Sequence, residues 1–362
     1  MNGRWLSRIQ NKETERLPFE NCCIRVKNVF DDRFFAMGLA MLWIVVFHVS
    51  FWLDNRLLRF VKDLGYGGVD VFLLCSGFGC FCSLERNGDV NSFLTARVKR
   101  IMPVWLVYML FWIPARLLLG DLPVTAIIGN ILCIQGFTML GKSVNWYISA
   151  LWFFYLLSPY LHGVCKRNTP NRNILTMCFF GVCSIPFWNS NAIIIGVSRL
   201  PVFYLGMILA KRKDEILDVK KQAAIIVAAI LGVLMIALFM EFAEELLWSY
   251  ALYWYPFIFI AFGLCLASYW GGRLLVRLKM TGVYQCVCGI GRLSFEYYLV
   301  HILILDVMQE GISAGILLNS NWTKLIALLI VFPASYGFNM LTVRIVSTLK
   351  KRLVPEKSCD QK

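Results

Sequence analysis

Charge is scarce in this sequence. Lys, Arg, Asp and Glu make up 16% of the 362 residues and apolar residues 59%, where soluble globular domains carry about 25% and 45–50%. A mean hydropathy of +0.64 agrees, and soluble Rossmann, barrel and sandwich folds are excluded. Acidic residues are the scarcer sign, 22 against 36 Lys and Arg, for a formal charge of +14. That excess sits in short runs between apolar stretches, which is the charge pattern of membrane topology and not of a nucleic-acid-binding face. No nucleic-acid partner is expected. Internal repeats and low-complexity tracts are missing as well. Of the 13 cysteines, the close pairs Cys22–Cys23, Cys80/Cys82 and Cys286/Cys288 lack zinc-like spacing with a histidine partner. They read as reduced packing residues, and no metal site is expected.

What the sequence does have is long apolar runs, at 34–53, 66–84, 102–119, 124–140, 146–161, 174–188, 192–210, 223–241, 249–269, 283–309 and 323–347. Their length, about 17–25 residues without strand-like alternation, calls for helices rather than an outer-membrane barrel. The fold class expected is therefore all-α, a polytopic membrane helical bundle. Residues 1–33 form a basic segment with no cleavage site after a short apolar stretch, 34–347 the membrane domain, and 348–362 a tail.

Eleven spans starting inside would expel the loop carrying Lys211, Arg212, Lys213, Lys220 and Lys221, and also Lys350, Lys351 and Arg352. The positive-inside rule objects to both. Segment 124–140 is short and broken by Gly129, Asn130, Gln135 and Gly136, so it is expected to be re-entrant or otherwise non-spanning. Ten transmembrane helices then remain, with both termini cytoplasmic in a plasma or inner membrane. Arg56, Arg59 and Lys62 dissent locally, while the acidic loop of Glu241, Glu244 and Glu245 falls outside.

Two of the three histidines, His48 and His301, lie inside apolar spans, where an ionisable side chain needs a partner or a water-filled cavity. A neutral imidazole there can serve as a general base or make an interhelical hydrogen bond. Fourteen residues from Phe34, His48 would sit about 21 Å into a core ~30 Å thick, past the midplane. Arg97, Lys99 and Arg100 precede Pro103, a residue suited to open a helix. Arginines at i and i+3 can project from one helical face and grip phosphate, helped by helix N-terminal amides, or serve as a stop-transfer cluster. Gly65, Gly67 and Gly68 precede Asp70, and Ser76, Gly77 and Gly79 follow, small residues that permit close packing. Ser76 has no histidine at a local spacing to activate it as a nucleophile. Arg199, Arg292, Glu296 and Asp306 also fall in apolar segments, with Arg292 and Glu296 spaced as a structural pair.

Taken in order, Met37 through His48, then Gly67-Gly-Val-Asp-Val-Phe-Leu-Leu-Cys-Ser-Gly-Phe78, then Phe93 through Pro103 resemble the acyltransferase-3 family of integral membrane O-acyltransferases. Trp146 through Pro159, Phe203 through Met207 and Gly291 through His301 extend the resemblance over about 30–345. It implies transfer of an acyl group, usually acetyl from cytoplasmic acetyl-CoA, to a hydroxyl of a cell-envelope carbohydrate or related acceptor beside membrane lipid. His48 matches the family's essential first-span histidine, and Arg97 and Arg100 its RxxR, with Lys99 between them. Family members often carry a basic residue eleven positions before that histidine. Here that position holds Met37, and Arg33 lies about one helical turn earlier as a substitute. Asp70, Ser76 and His301 are the other supporting candidates, and the chain resembles the stand-alone type without a hydrolase-like extension. The rival classes are a transporter or flippase for lipid-linked sugars, which internal repeats would favour, and a diverged member without turnover.

Overall fold

A computed structural model describes residues 23–118, 122–138, 146–187, 191–242 and 254–353. Arg4, Arg8, Lys12, Arg16, Cys22, Glu244, Glu245 and the end of the tail lie outside the described residues. After a two-residue strand, β1 (Ile24–Arg25), come α1 (Val26–Asp31), α2 (Arg33–His48), α3 (Arg56–Asp63), α4 (Gly68–Asn87) and α5 (Val90–Leu118). Next are α6 (Val124–Ile131), α7 (Gln135–Thr138), α8 (Trp146–Arg167), α9 (Pro170–Val182), α10 (Asn191–Val197) and α11 (Leu200–Lys211). Strand β2 (Ile216–Leu217) precedes α12 (Val219–Phe242), α13 (Phe257–Arg277), α14 (Thr281–Arg292), α15 (Ser294–Ser313) and α16 (Asn321–Leu353). The all-helical class is as expected.

Local chemistry sets several boundaries. Gly88 closes α4 with φ +63°, a conformation that costs glycine little. The Asp89 carboxylate then accepts from the amides of Asn91 and Ser92 at 3.2 and 2.8 Å, capping the start of α5. That cap corrects one expectation. Helix α5 begins at Val90 and carries Pro103 and Pro114 in its interior, so Arg97 and Arg100 sit about two to three turns inside it, away from free N-terminal amides. Thr169 caps α9 by accepting from the Arg172 amide, with Pro170 in the first turn.

Among the described residues, seven helices are long and apolar enough to cross a membrane, or eight if α14 and α15, bent by 77°, count as one span. Ten were expected. Helix α2 has 16 residues and α9 has 13, both short of a full bilayer crossing at ~20 residues. Segment 124–140 breaks as expected, into the short helices α6 and α7. The 283–309 stretch, expected as one span, instead turns at Leu293.

Contacts group the ends of the helices. At one end β1 pairs antiparallel with β2, and Lys27 donates to Asp214 at 2.6 Å, an ammonium that holds the Asp214 carboxyl below its usual range. Lys211 Nζ donates to the carbonyls of Cys165, Lys166 and Asn168. Asp32 accepts from Tyr284 at 3.1 Å and lies 3.6 Å from Arg273. At the other end Arg56 pairs with Glu241, and Trp52 exchanges hydrogen bonds with Asn321.

Two backbone approaches build the centre. A Cβ at Gly77 or Gly206 would run into the Phe203 or Leu74 carbonyl, and one at Gly38 or Gly291 into that of Val287 or Phe34. Helices α4 and α11, and α2 and α14, therefore meet backbone to backbone, the contact that small residues permit in membranes.

Candidate functional site

His48 ends α2, with Val49 already in extended conformation. It borders a cavity of about 120 Å³ together with Tyr66, Trp146, Ile195, Arg199, Trp254 and Tyr298. Its Nδ1 lies 2.9 Å from the Ile44 carbonyl and 3.4 Å from Nε2 of His301. His301 is wholly buried in α15, with its Nδ1 3.1 Å from the Tyr297 carbonyl. The two membrane histidines thus meet, although they stand 253 residues apart in the chain.

Arg199 reaches the same cavity from the turn between α10 and α11. Its guanidinium is sandwiched between the indoles of Trp146 and Trp254, 4.5 and 4.6 Å from the ring centres, a favourable cation–π arrangement. Asp70, in the first turn of α4, lies 3.5 Å from Arg199 Nε, and neither side chain reaches solvent appreciably. Among the described residues neither Asp70 oxygen has a hydrogen-bond partner, so Arg199 is its charge partner through space. Asp70 touches Arg199 and does not itself border the cavity.

A second cavity, of about 130 Å³, lies next to the first. Met37, Ser76, Arg100, Tyr147, Arg292, Glu296 and Tyr298 border it. Tyr298 belongs to both walls, and its ring stands edge-on to Tyr147 at 4.9 Å and to His301 at 5.4 Å. Positive charge comes to this cavity from Arg100 and Arg292, beside the Met37 side chain. Arg33 is turned elsewhere, donating to the Phe30 carbonyl at 3.1 Å and lying over Phe34. Arg97 stacks over Phe93 and Tyr155 at 4.8 and 5.4 Å, so of the two arginines Arg100 is the one that borders the cavity. Lys99 is exposed. Ser76 and His48 border different cavities.

Several residues carry more than their local sequence indicates. Arg199 falls in an apolar segment with nothing in the sequence to link it to Asp70, and Tyr298 and Trp146 stand only within stretches that carry the family resemblance. The i, i+4 spacing of Arg292 and Glu296 suggests only a structural pair. Glu296 accepts from Asn339 Nδ2 at 2.9 Å, and both residues border the second cavity at the α14–α15 bend. The signal was local: Gly289-Ile-Gly-Arg-Leu-Ser294 breaks an apolar helix, and broken membrane helices bring polar groups to mid-membrane depth.

The arrangement supplies a membrane-embedded imidazole, a guanidinium-bordered chamber beside it, and an aromatic wall between. Residues 37–343 match the acyltransferase 3 family model, described as an acyltransferase domain. No curated protein and no solved structure matches the chain. With the match spanning nearly all of the membrane helices, the chain belongs to the acyltransferase 3 family and is a multi-pass membrane acyltransferase.

Proposed function

We propose that this acyltransferase moves an acetyl group from cytoplasmic acetyl-CoA to a hydroxyl of a cell-envelope carbohydrate or related acceptor. One observation carries the reading: the cavity bordered by Arg100 and the cavity bordered by His48 share the Tyr298 side chain as a wall. Arg100, with Arg97 and Lys99 around it, meets the phosphates of CoA, since guanidinium pairs with phosphate by two parallel hydrogen bonds. The pantetheine arm enters the first chamber and brings the thioester past Tyr298. His48 takes the proton of the acceptor hydroxyl as its oxygen attacks the acyl carbon. The C–O bond forms, the C–S bond breaks, and the proton leaves with the thiolate as CoA thiol. Trp146, Trp254 and Tyr66 offer the flat faces on which a sugar ring stacks.

Ten crossings with both termini cytoplasmic belong to the same proposal. In support, β1, Asp32, Cys165 to Asn168, Lys211 to Leu217 and Arg273 share one end through their contacts. Arg56, Glu241, Trp52 and Asn321 group at the other end. The short helices α2 and α9 are then full legs of the bundle, and α6 with α7 is the piece that turns back. The basic loops gather at the end assigned to the cytoplasm, as the charge bias requires.

The test is the O-acetyl content of envelope glycans in a strain lacking the protein, complemented by wild type or His48→Ala at equal membrane levels. Restoration by wild type alone is expected, and the restored glycan names the acceptor. Equal restoration by both variants removes His48 from the chemistry, and no change in either overturns the proposed acceptor class.

A further inference from the structure

We infer that His301 is a positioning residue that fixes the tautomer and orientation of His48, an inference that rests on His48 acting as the base. Two carbonyls decide the ring hydrogens. A backbone carbonyl only accepts, so the nitrogen beside it carries hydrogen. His48 Nδ1, 2.9 Å from the Ile44 oxygen, is therefore the N–H of that ring. By the same logic His301 Nδ1 is an N–H, donating to the Tyr297 oxygen at 3.1 Å. In the neutral rings the lone pairs then lie on the two Nε2 atoms. His301 Nε2 faces His48 Nδ1 at 3.4 Å, so His48 shares its hydrogen between a close carbonyl and a longer contact to an acceptor imidazole. The reverse assignment would set a His48 lone pair against the Ile44 oxygen.

The consequence concerns the other edge of the His48 ring. With Nδ1 committed, Nε2 keeps the lone pair that a base needs, and the ring borders the cavity. His301 is 0% exposed and does not border it, so it touches no substrate and acts through His48. When His48 takes the acceptor proton on Nε2 it becomes an imidazolium, and its Nδ1–H is already held by Ile44 and His301. Nothing in the balance of the transfer changes: the proton from the hydroxyl resides on His48 and leaves with the CoA thiol. This is the role that the third member plays for the histidine of a hydrolytic triad, filled here by an uncharged acceptor.

Two substitutions separate positioning from packing. Asparagine retains a donor near the Nδ1 position, in reach of the Tyr297 carbonyl, but has nothing where Nε2 stood. Glutamine puts its amide oxygen near the Nε2 position and restores an acceptor for His48. Full-length protein is assayed in inverted membrane vesicles of the strain that makes the native acceptor, with acetyl-CoA varied and thiol release measured. At equal protein levels, His301→Asn is expected to lower the maximal rate at least about tenfold, with KM for acetyl-CoA unchanged and His301→Gln well above it. Equal rates for His301→Asn and wild type, or an equal fall for Asn and Gln, overturn the inference. His48→Ala is run beside them. If it retains the wild-type rate, the reading of His48 as base fails, whereas an inactive His48→Ala with a normal His301→Asn refutes the positioning role alone.

Discussion

Asp70 Oδ1 lies 3.5 Å from Arg199 Nε, with both side chains almost wholly out of solvent. A pair this deep adds little net stability over apolar residues of the same shape, but losing one member strands the other charge, at a cost of about 3–5 kcal/mol. Asp70→Ala and Arg199→Ala are each expected to lower the temperature at which detergent-solubilised protein loses its monodisperse peak. Combining Asp70→Ala with Arg199→Met should recover part of that loss. A double variant no better than the worse single one would show that the two charges do not depend on each other. Arg199→Lys should behave nearer to Ala than to wild type, because an ammonium cannot stack flat between Trp146 and Trp254.

Arg100 and Lys99 are neighbours in sequence that differ in what they border. Both are exposed, but Arg100 borders the chamber assigned to the donor in the proposed path and Lys99 does not. Hydrogen bonds to charged groups are worth about 1.5–3 kcal/mol, so Arg100→Ala should raise KM for acetyl-CoA by roughly 10- to 100-fold. Lys99→Ala should leave KM within about twofold, in keeping with a solvated charge. Equal effects at both positions would mean that the cluster acts as diffuse charge and not through Arg100.

The helical class, the broken 124–140 segment and the placement of the His48 imidazole on an apolar helix were legible because each rests on a local pattern: apolar length, small polar interruptions, one ionisable group in an apolar run. Pro103 misled for an equally local reason. Proline suits a first turn, but the Asp89 carboxylate offers a stronger start 14 residues earlier, and a membrane helix tolerates an interior proline. The chamber walls were not legible. Tyr298, Arg199 and Trp254 come from three distant stretches of the chain, and an aromatic in an apolar run carries no mark of the cavity it will face. The Met37 position shows the same limit. Sequence pointed below it to Arg33, whereas the positive charge beside Met37 comes from Arg292, at a bend that hydropathy averages away.

Gly77 and Gly79 test the packing. A methyl group at Gly77 would overlap the Phe203 carbonyl oxygen, a backbone atom that cannot swing aside, while one at Gly79 meets nothing within 4 Å. Overpacking costs about 1–3 kcal/mol, and here it would separate α4 from α11. Gly77→Ala is expected to reduce the monodisperse fraction after solubilisation. Gly79→Ala should match or exceed wild type, since alanine is the better helix former by up to about 1 kcal/mol. Equal yields from the two variants would show that the α4–α11 approach is looser than its backbone contacts imply.

Tyr298 stands where the two chambers meet, edge-on to Tyr147 at 4.9 Å and to His301 at 5.4 Å. In the proposed path the acyl group passes this ring, so the ring limits what can follow the thioester carbonyl. Tyr298→Leu keeps the site apolar and removes the bulk of the wall. One methylene in an apolar pocket is worth about 1–3 kcal/mol in discrimination, so the rate with butyryl-CoA relative to acetyl-CoA should rise by about tenfold or more. Tyr298→Phe, which preserves the ring, should leave that ratio unchanged. The measurement is thiol release from the two donors with each variant at equal protein level. A ratio unmoved in Tyr298→Leu, with the protein intact, would mean that the acyl group reaches His48 by a route that does not cross this wall.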